Sequence, residues 1–212
     1  MAITRIGGAN AISGTFPATN INNTSIANIT QLPAGVGGSL VKIASASYSS
    51  AVNTVTFTDC FTADYSDYKV IGSGFWGAND GEVYARVLDS GGSNITTWTS
   101  VNMYSYTSNA GSSGTSTVVQ HGSQNHYRFN DAKLASDNQH QIMFELNFSN
   151  PYESLYTMAT GKAGISATNN YIYNQDSTAT LFSTTSARSL EIFTDNAANF
   201  AGYNVAIYGV TQ

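Results

Sequence analysis

Gln139-His140-Gln141-Ile142-Met143-Phe144-Glu145-Leu146-Asn147-Phe148-Ser149 is the clearest strand in this 212-residue chain. Ile142, Phe144, Leu146 and Phe148 fall on one side, and Gln141, Met143, Glu145 and Asn147 on the other. A period of two belongs to a strand with one buried face. Asn150-Pro151 stops it. The same pattern recurs on both sides. In Glu82–Leu88, Val83, Ala85 and Val87 oppose Glu82, Tyr84 and Arg86. In Asp67–Gly74, Tyr68 and Val70 oppose Lys69 and Ile71. In Arg188–Thr194, Leu190 and Ile192 oppose Glu191 and Phe193, and Tyr203, Val205 and Ile207 share one face near the end. Ser39–Ser47, Val52–Phe57, Trp98–Tyr106, Thr115–Gln120, Asn125–Asn130, Leu155–Ser166, Tyr171–Asn174 and Thr178–Ser183 are further candidate strands.

About ten to twelve strands at regular spacing, with helix-period stretches nearly absent, predict an all-β fold. No βαβ alternation appears, which argues against a parallel sheet. The expected architecture is an antiparallel β-sandwich, jelly-roll-like, over residues 39–212. Residues 1–38 read differently. Their large apolar residues, Ile3, Ile6, Ile12, Phe16, Ile21, Ile26, Ile29 and Leu32, follow neither strand nor helix spacing, and Gly7-Gly8, Gly14 and Pro17 interrupt them. So few apolar side chains cannot offset the backbone entropy of ordering such a segment in isolation. It is expected to be an extended arm for attachment or oligomerisation, with these eight residues as its contacts. The alternative is an arm folded back on its own sandwich as extra edge strands. Pro33 and three glycines in Leu32–Gly38 mark the hinge.

Composition narrows the function. Charged residues are 10% of the chain and the net charge is −5. Eight scattered Lys and Arg leave no nucleic-acid footprint. No apolar run is long enough to span a bilayer, and the first residues lack the apolar core of a secretion signal. Synthesis in a cytoplasm is expected. Cys60 is the single cysteine, so no intrachain disulfide forms, and it reads as a small buried hydrophobe.

Little in the chain suggests chemistry. Asp64 and Asp67 have the spacing of paired carboxylates or calcium ligands, but read first as turn formers. His121, His126 and His140 fit no standard metal pattern. No nucleophile elbow and no phosphate-binding loop is present. No enzyme activity, metal or cofactor is expected. The thirteen Tyr and two Trp are more informative. Tyr104 and Tyr106 share a strand face, as do Tyr171 and Tyr173, while Tyr152 and Tyr156 make a similar pair. Trp76 lies between glycines before the Asn79-Asp80-Gly81 turn, a setting that leaves an indole uncovered. Trp76, Tyr104 and Tyr106 are the candidate recognition residues, since rigid rings suit glycan or protein contacts. Trp98 is expected in the core.

Ile6-Gly7-Gly8-Ala9-Asn10-Ala11-Ile12-Ser13-Gly14-Thr15-Phe16-Pro17 resembles the "AISGTIP" segments of tailed-bacteriophage fibre proteins of the cyanophage and marine phage type. Tyr203–Val210 is similar to the closing strand of their sandwich heads. The resemblance implies a virion protein, a homotrimer attached to other virion proteins by its arm, with its head facing a host glycan or protein. It carries no catalytic residues. The chain lacks a long fibre shaft, which keeps open a capsid decoration (cement) protein on the phage head. A glycan-degrading enzyme, resting on Asp64 and Asp67, is the weaker alternative.

Overall fold

The computed structural model describes residues 40–49, 52–76, 81–108, 114, 117–130, 141–167, 171–195 and 200–211. All lie in the compact unit Gly38–Gln212. The expected arm contacts from Ile3 to Leu32, and His140, fall outside the described residues.

Twelve strands are present among the described residues: β1 (Leu40–Tyr48), β2 (Thr54–Phe57), β3 (Asp67–Trp76), β4 (Val83–Leu88), β5 (Trp98–Ser108), β6 (Thr117–Gln124), β7 (Tyr127–Arg128), β8 (Gln141–Ser149), β9 (Thr157–Ala167), β10 (Tyr171–Leu181), β11 (Ser189–Thr194) and β12 (Phe200–Val210). They form an eight-stranded sheet, β1-β12-β3-β8-β9-β10-β5-β6, and a four-stranded sheet, β2-β11-β4-β7. Every pairing is antiparallel. Set aside the hairpins β5–β6 and β9–β10, and eight strands remain in two four-stranded sheets, β1-β12-β3-β8 and β2-β11-β4-β7. The chain crosses between these sheets in the order of a jelly roll. The two hairpins then widen one sheet beyond β8.

The alternation read from sequence positions the core. Ile142, Leu146, Val83, Ala85, Val87, Leu190, Ile192 and Ile207 are fully buried, with Phe144, Phe148 and Val205 nearly so. Phe148 lies at the centre of a ring cluster, 6.0 Å from Phe61, 6.5 Å from Trp98 and 6.3 Å from Tyr127. The sandwich is tight enough that Gly72 of β3 has no room for a side chain. A Cβ there would stand 2.2 Å from Cζ of Phe144.

Tyr171–Asn174 and Thr178–Ser183, read as separate strands, are one strand, β10. Of the polar residues between them, two point inward. Gln175 and Ser177 are buried, and the Ser177 hydroxyl shares a 2.5 Å hydrogen bond with the Tyr127 hydroxyl. A buried polar group is tolerated when it is paired in this way.

Cys60 is 2% exposed, and burial pushes its thiol up to about 12. A thiol that stays protonated is a poor nucleophile. The native protein is therefore expected to resist a thiol reagent at pH 8 and to react stoichiometrically in urea. Fast labelling of the folded chain would contradict the packing around β2 and β11.

Candidate interaction surface

Three clusters of chemistry-bearing side chains stand out. The first covers the outer face of the small sheet. Alternation in β4 puts Tyr84 and Arg86 outward, and register sets Phe193 opposite Tyr84 and Glu191 opposite Arg86. The buried Glu82 carboxylate accepts a 2.6 Å hydrogen bond from the Tyr84 hydroxyl and pairs with the Arg128 guanidinium. Arg86 pairs with Glu191 and lies 4.6 Å above the Phe193 ring. Glu191 also accepts from Thr56 at 3.1 Å. His126 stacks on Tyr84 with centroids 4.2 Å apart. The mixture of acid, base, Tyr and His looks catalytic on paper. Its carboxylates are instead occupied by Arg and hydroxyl partners, and its rings lie against one another.

Burial, followed by the nearby Arg128 charge, holds the His126 imidazole down at about 4. The folded state keeps this ring neutral where the unfolded chain protonates it. Between about pH 6.5 and pH 4 the unfolded state therefore binds the extra proton, and stability falls as pH falls. Urea midpoints should drop across that window in the wild type. His126→Phe, which keeps the stack, should flatten that part of the profile; an unchanged slope would remove His126 as its source.

The second cluster joins the two tyrosine pairs. Register places Tyr106 opposite Tyr173, and Gln175 opposite Tyr104. Tyr106 is 5.4 Å from both Tyr171 and Tyr173, and Tyr104 is 6.0 Å from Tyr173. All four rings are half-buried. Burial followed by the neighbouring phenols raises the Tyr173 hydroxyl above its ordinary value. Tyr104 and Tyr106 thus belong to a four-ring platform on the β5–β10 pair. Trp76 closes β3 in register with Phe200, and its side chain lies outside the described residues. Tyr152 and Tyr156 are not a pair: Tyr152 packs under Arg188 at 4.1 Å, and Tyr156 meets Phe182.

The third cluster is the outer face of the eight-stranded sheet, which sequence reasoning did not single out. Ile71, Val101, Met103 and Val118 are 40–58% exposed on it, and Met143, Met158 and Ile172 52–66%. Between them runs a line of charge. Lys69 Nζ is 2.9 Å from Glu145, Lys162 faces Glu145 in register, and Lys162 lies 3.8 Å from Asp176. The hydrogen bond from Lys69 holds the Glu145 carboxyl below its usual range. On the β1-β12-β3-β8 side the face dips into a shallow groove of about 410 Å³, lined by Ser45, Ser47, Ile71, Met143, Ala206 and Tyr208 among others.

The remaining candidates are local. Asp64 accepts from the Thr62 hydroxyl at 3.1 Å, and Asp67 from Ser66 at 3.2 Å and Ser149 at 2.5 Å. Both carboxylates thus serve turn and strand-end hydrogen bonds. Among the described residues no group of three or more His, Cys, Asp and Glu is placed to hold a metal ion. Nor is any helix there long and apolar enough to cross a membrane.

No family model and no curated protein matches the chain. Among solved structures, the chain matches one described as the structure of infectious bursal disease virus Gx strain. The identity is 8%, over 81% of this chain, with a TM-score of 0.10. The chain spans 39% of that chain's length. At that score the two share no demonstrable fold.

Proposed function

We propose that the chain is a structural protein of a tailed-phage virion, a tail or baseplate fibre head rather than an enzyme. Residues 1–38 attach it to the particle and gather copies, three in the reading taken from the fibre resemblance. The jelly roll is displayed toward the host surface. One observation carries the reading: Ile71, Val101, Met103, Val118, Met143, Met158 and Ile172 are exposed together on the outer face of one broad sheet, which dips only into a shallow groove. Flat faces suit contacts between macromolecules, whereas substrates of enzymes are taken into concave sites. The Tyr104–Tyr106–Tyr171–Tyr173 platform is the surface offered to host glycan or protein.

The breadth of the eight-stranded face favours a second reading, a decoration protein tiling the phage head. Gold-labelled antibody imaged on intact particles separates the two. Label at the tail tip supports the fibre, label over the head supports decoration, and particles without label overturn both. Deleting residues 1–38 should leave a folded head that no longer joins particles.

A further inference from the structure

We propose that the outer face of the eight-stranded sheet binds the same face of a second copy, about a twofold axis lying along the β8–β9 seam. This goes beyond the virion reading and stands without it.

The argument starts from register. Across the seam Met143 faces Gly164, Glu145 faces Lys162, Asn147 faces Thr160 and Ser149 faces Met158. A twofold along the seam brings each β8 residue over its β9 partner in the other copy. Met143, 66% exposed, then meets the second copy's Gly164, where nothing lies within 4 Å of a would-be Cβ. Met158 meets the second copy's Ser149. Glu145 meets the second copy's Lys162. Each large side chain is opposed by a small one, and each charge by its opposite.

The pattern extends outward. Lys69, Glu145, Lys162 and Asp176 sit on four successive strands with alternating sign. By register the row runs Ile71, Glu145, Lys162, Asp176, with Lys69 beside Asn147, so this axis opposes Glu145 and Lys162 of the two copies and sets Ile71 over the second copy's Asp176. An in-plane axis perpendicular to the strands would oppose like charges. The Glu145–Lys162 row continues to Ala206 and Ser45 on one flank, and to Met103 and Val118 on the other. The twofold sets the small flank against the large one. The seam is the midline of the sheet, with four strands on each side. Eight strands at about 4.8 Å, each of about nine residues, offer about 1,000 Å² per copy. A standard stable interface needs about 800 Å² per partner. Stacked sheets cross at about 30°, so the axis bisects that angle and contact is closest at the seam.

Two charge reversals test the pairing on the full chain. In Lys162→Glu, Glu145 would face a glutamate; in Glu145→Lys, Lys162 would face a lysine. Each should halve the mass of the wild-type species seen by sedimentation at micromolar concentration, whatever the arm contributes. Mixed in equal amounts, the two variants oppose acid to base at both positions and should recover the wild-type mass. As a second measurement, Met143→Cys mixed with Gly164→Cys should be joined between chains by a short bismaleimide, whose reach suits sheets stacked about 10 Å apart, with buried Cys60 silent. A mass untouched by either reversal assigns association to the arm and overturns the proposal. So does a mixture that stays at half mass with both variants folded, or the absence of the crosslink. None of these outcomes depends on where antibody labels the particle.

Discussion

Phe148→Ala is expected to destabilise the sandwich by about 3–5 kcal/mol, the cost of removing a large buried ring and leaving its cavity. Phe148 is 1% exposed. Its strand, β8, is central in the large sheet, paired to β3 on one side and β9 on the other. Its ring meets Phe61 from the segment after β2, Trp98 from β5 and Tyr127 from β7. The cavity would thus open where the jelly roll and both inserted hairpins converge, with several rings on rigid strands unable to collapse into it. Urea denaturation followed by tryptophan fluorescence measures the change, since buried Trp98 lines the site. Phe148→Leu should recover more than half of the loss. A cost of less than about 1 kcal/mol would mean that the ring cluster is not the centre of the core.

Glu82→Gln is expected to cost about 2–4 kcal/mol, for a different reason. The carboxylate of this buried residue joins Arg128 and the hydroxyl of Tyr84, whose ring carries the stacked His126. Removing one partner of such a pair leaves the other charge desolvated, and this outweighs the pair's own worth. Glu82→Met combined with Arg128→Met should therefore be milder than Glu82→Gln alone. That inversion, with two changes costing less than one, is the decisive readout. If the double variant is the worse, the pair is held by surface-type attraction, and its effect should then fade in high salt.

Sequence reading reached the strands but not their neighbours. β8 was legible because its four inward residues are all large and apolar, and its outward ones are mostly polar. β10 was misread at Gln175-Asp176-Ser177, because a polar residue facing a polar interior looks the same as a turn. β7 is only two residues long, Tyr127–Arg128, too short for any periodicity to register. The jelly-roll order itself rests on pairings such as β1 with β12, which lie at opposite ends of the head. Nothing local encodes them.

The contact surfaces divide in the same way. That Tyr104 and Tyr106 share a face follows from alternation. That they meet Tyr171 and Tyr173 requires the register of β5 against β10. The charge line on the outer face draws on β3, β8, β9 and β10, so it exists only once the sheet is ordered. The Glu82–Tyr84–Arg86 face was visible in sequence, and so was the Glu191–Phe193 face. Their meeting, with Arg128 and His126 added from the segment around β7, was not.

The adjacency of β1 and β12 has a consequence for biosynthesis. The opening strand of the head hydrogen-bonds to the closing strand and to no other described strand. The hairpin β5–β6 likewise must wait for β10 before it has a sheet to join. A ribosome therefore releases nearly the whole head before its first strand finds a neighbour. A chain truncated just before Phe200 would have β1 stranded and one edge of β3 open, prone to pairing with other chains.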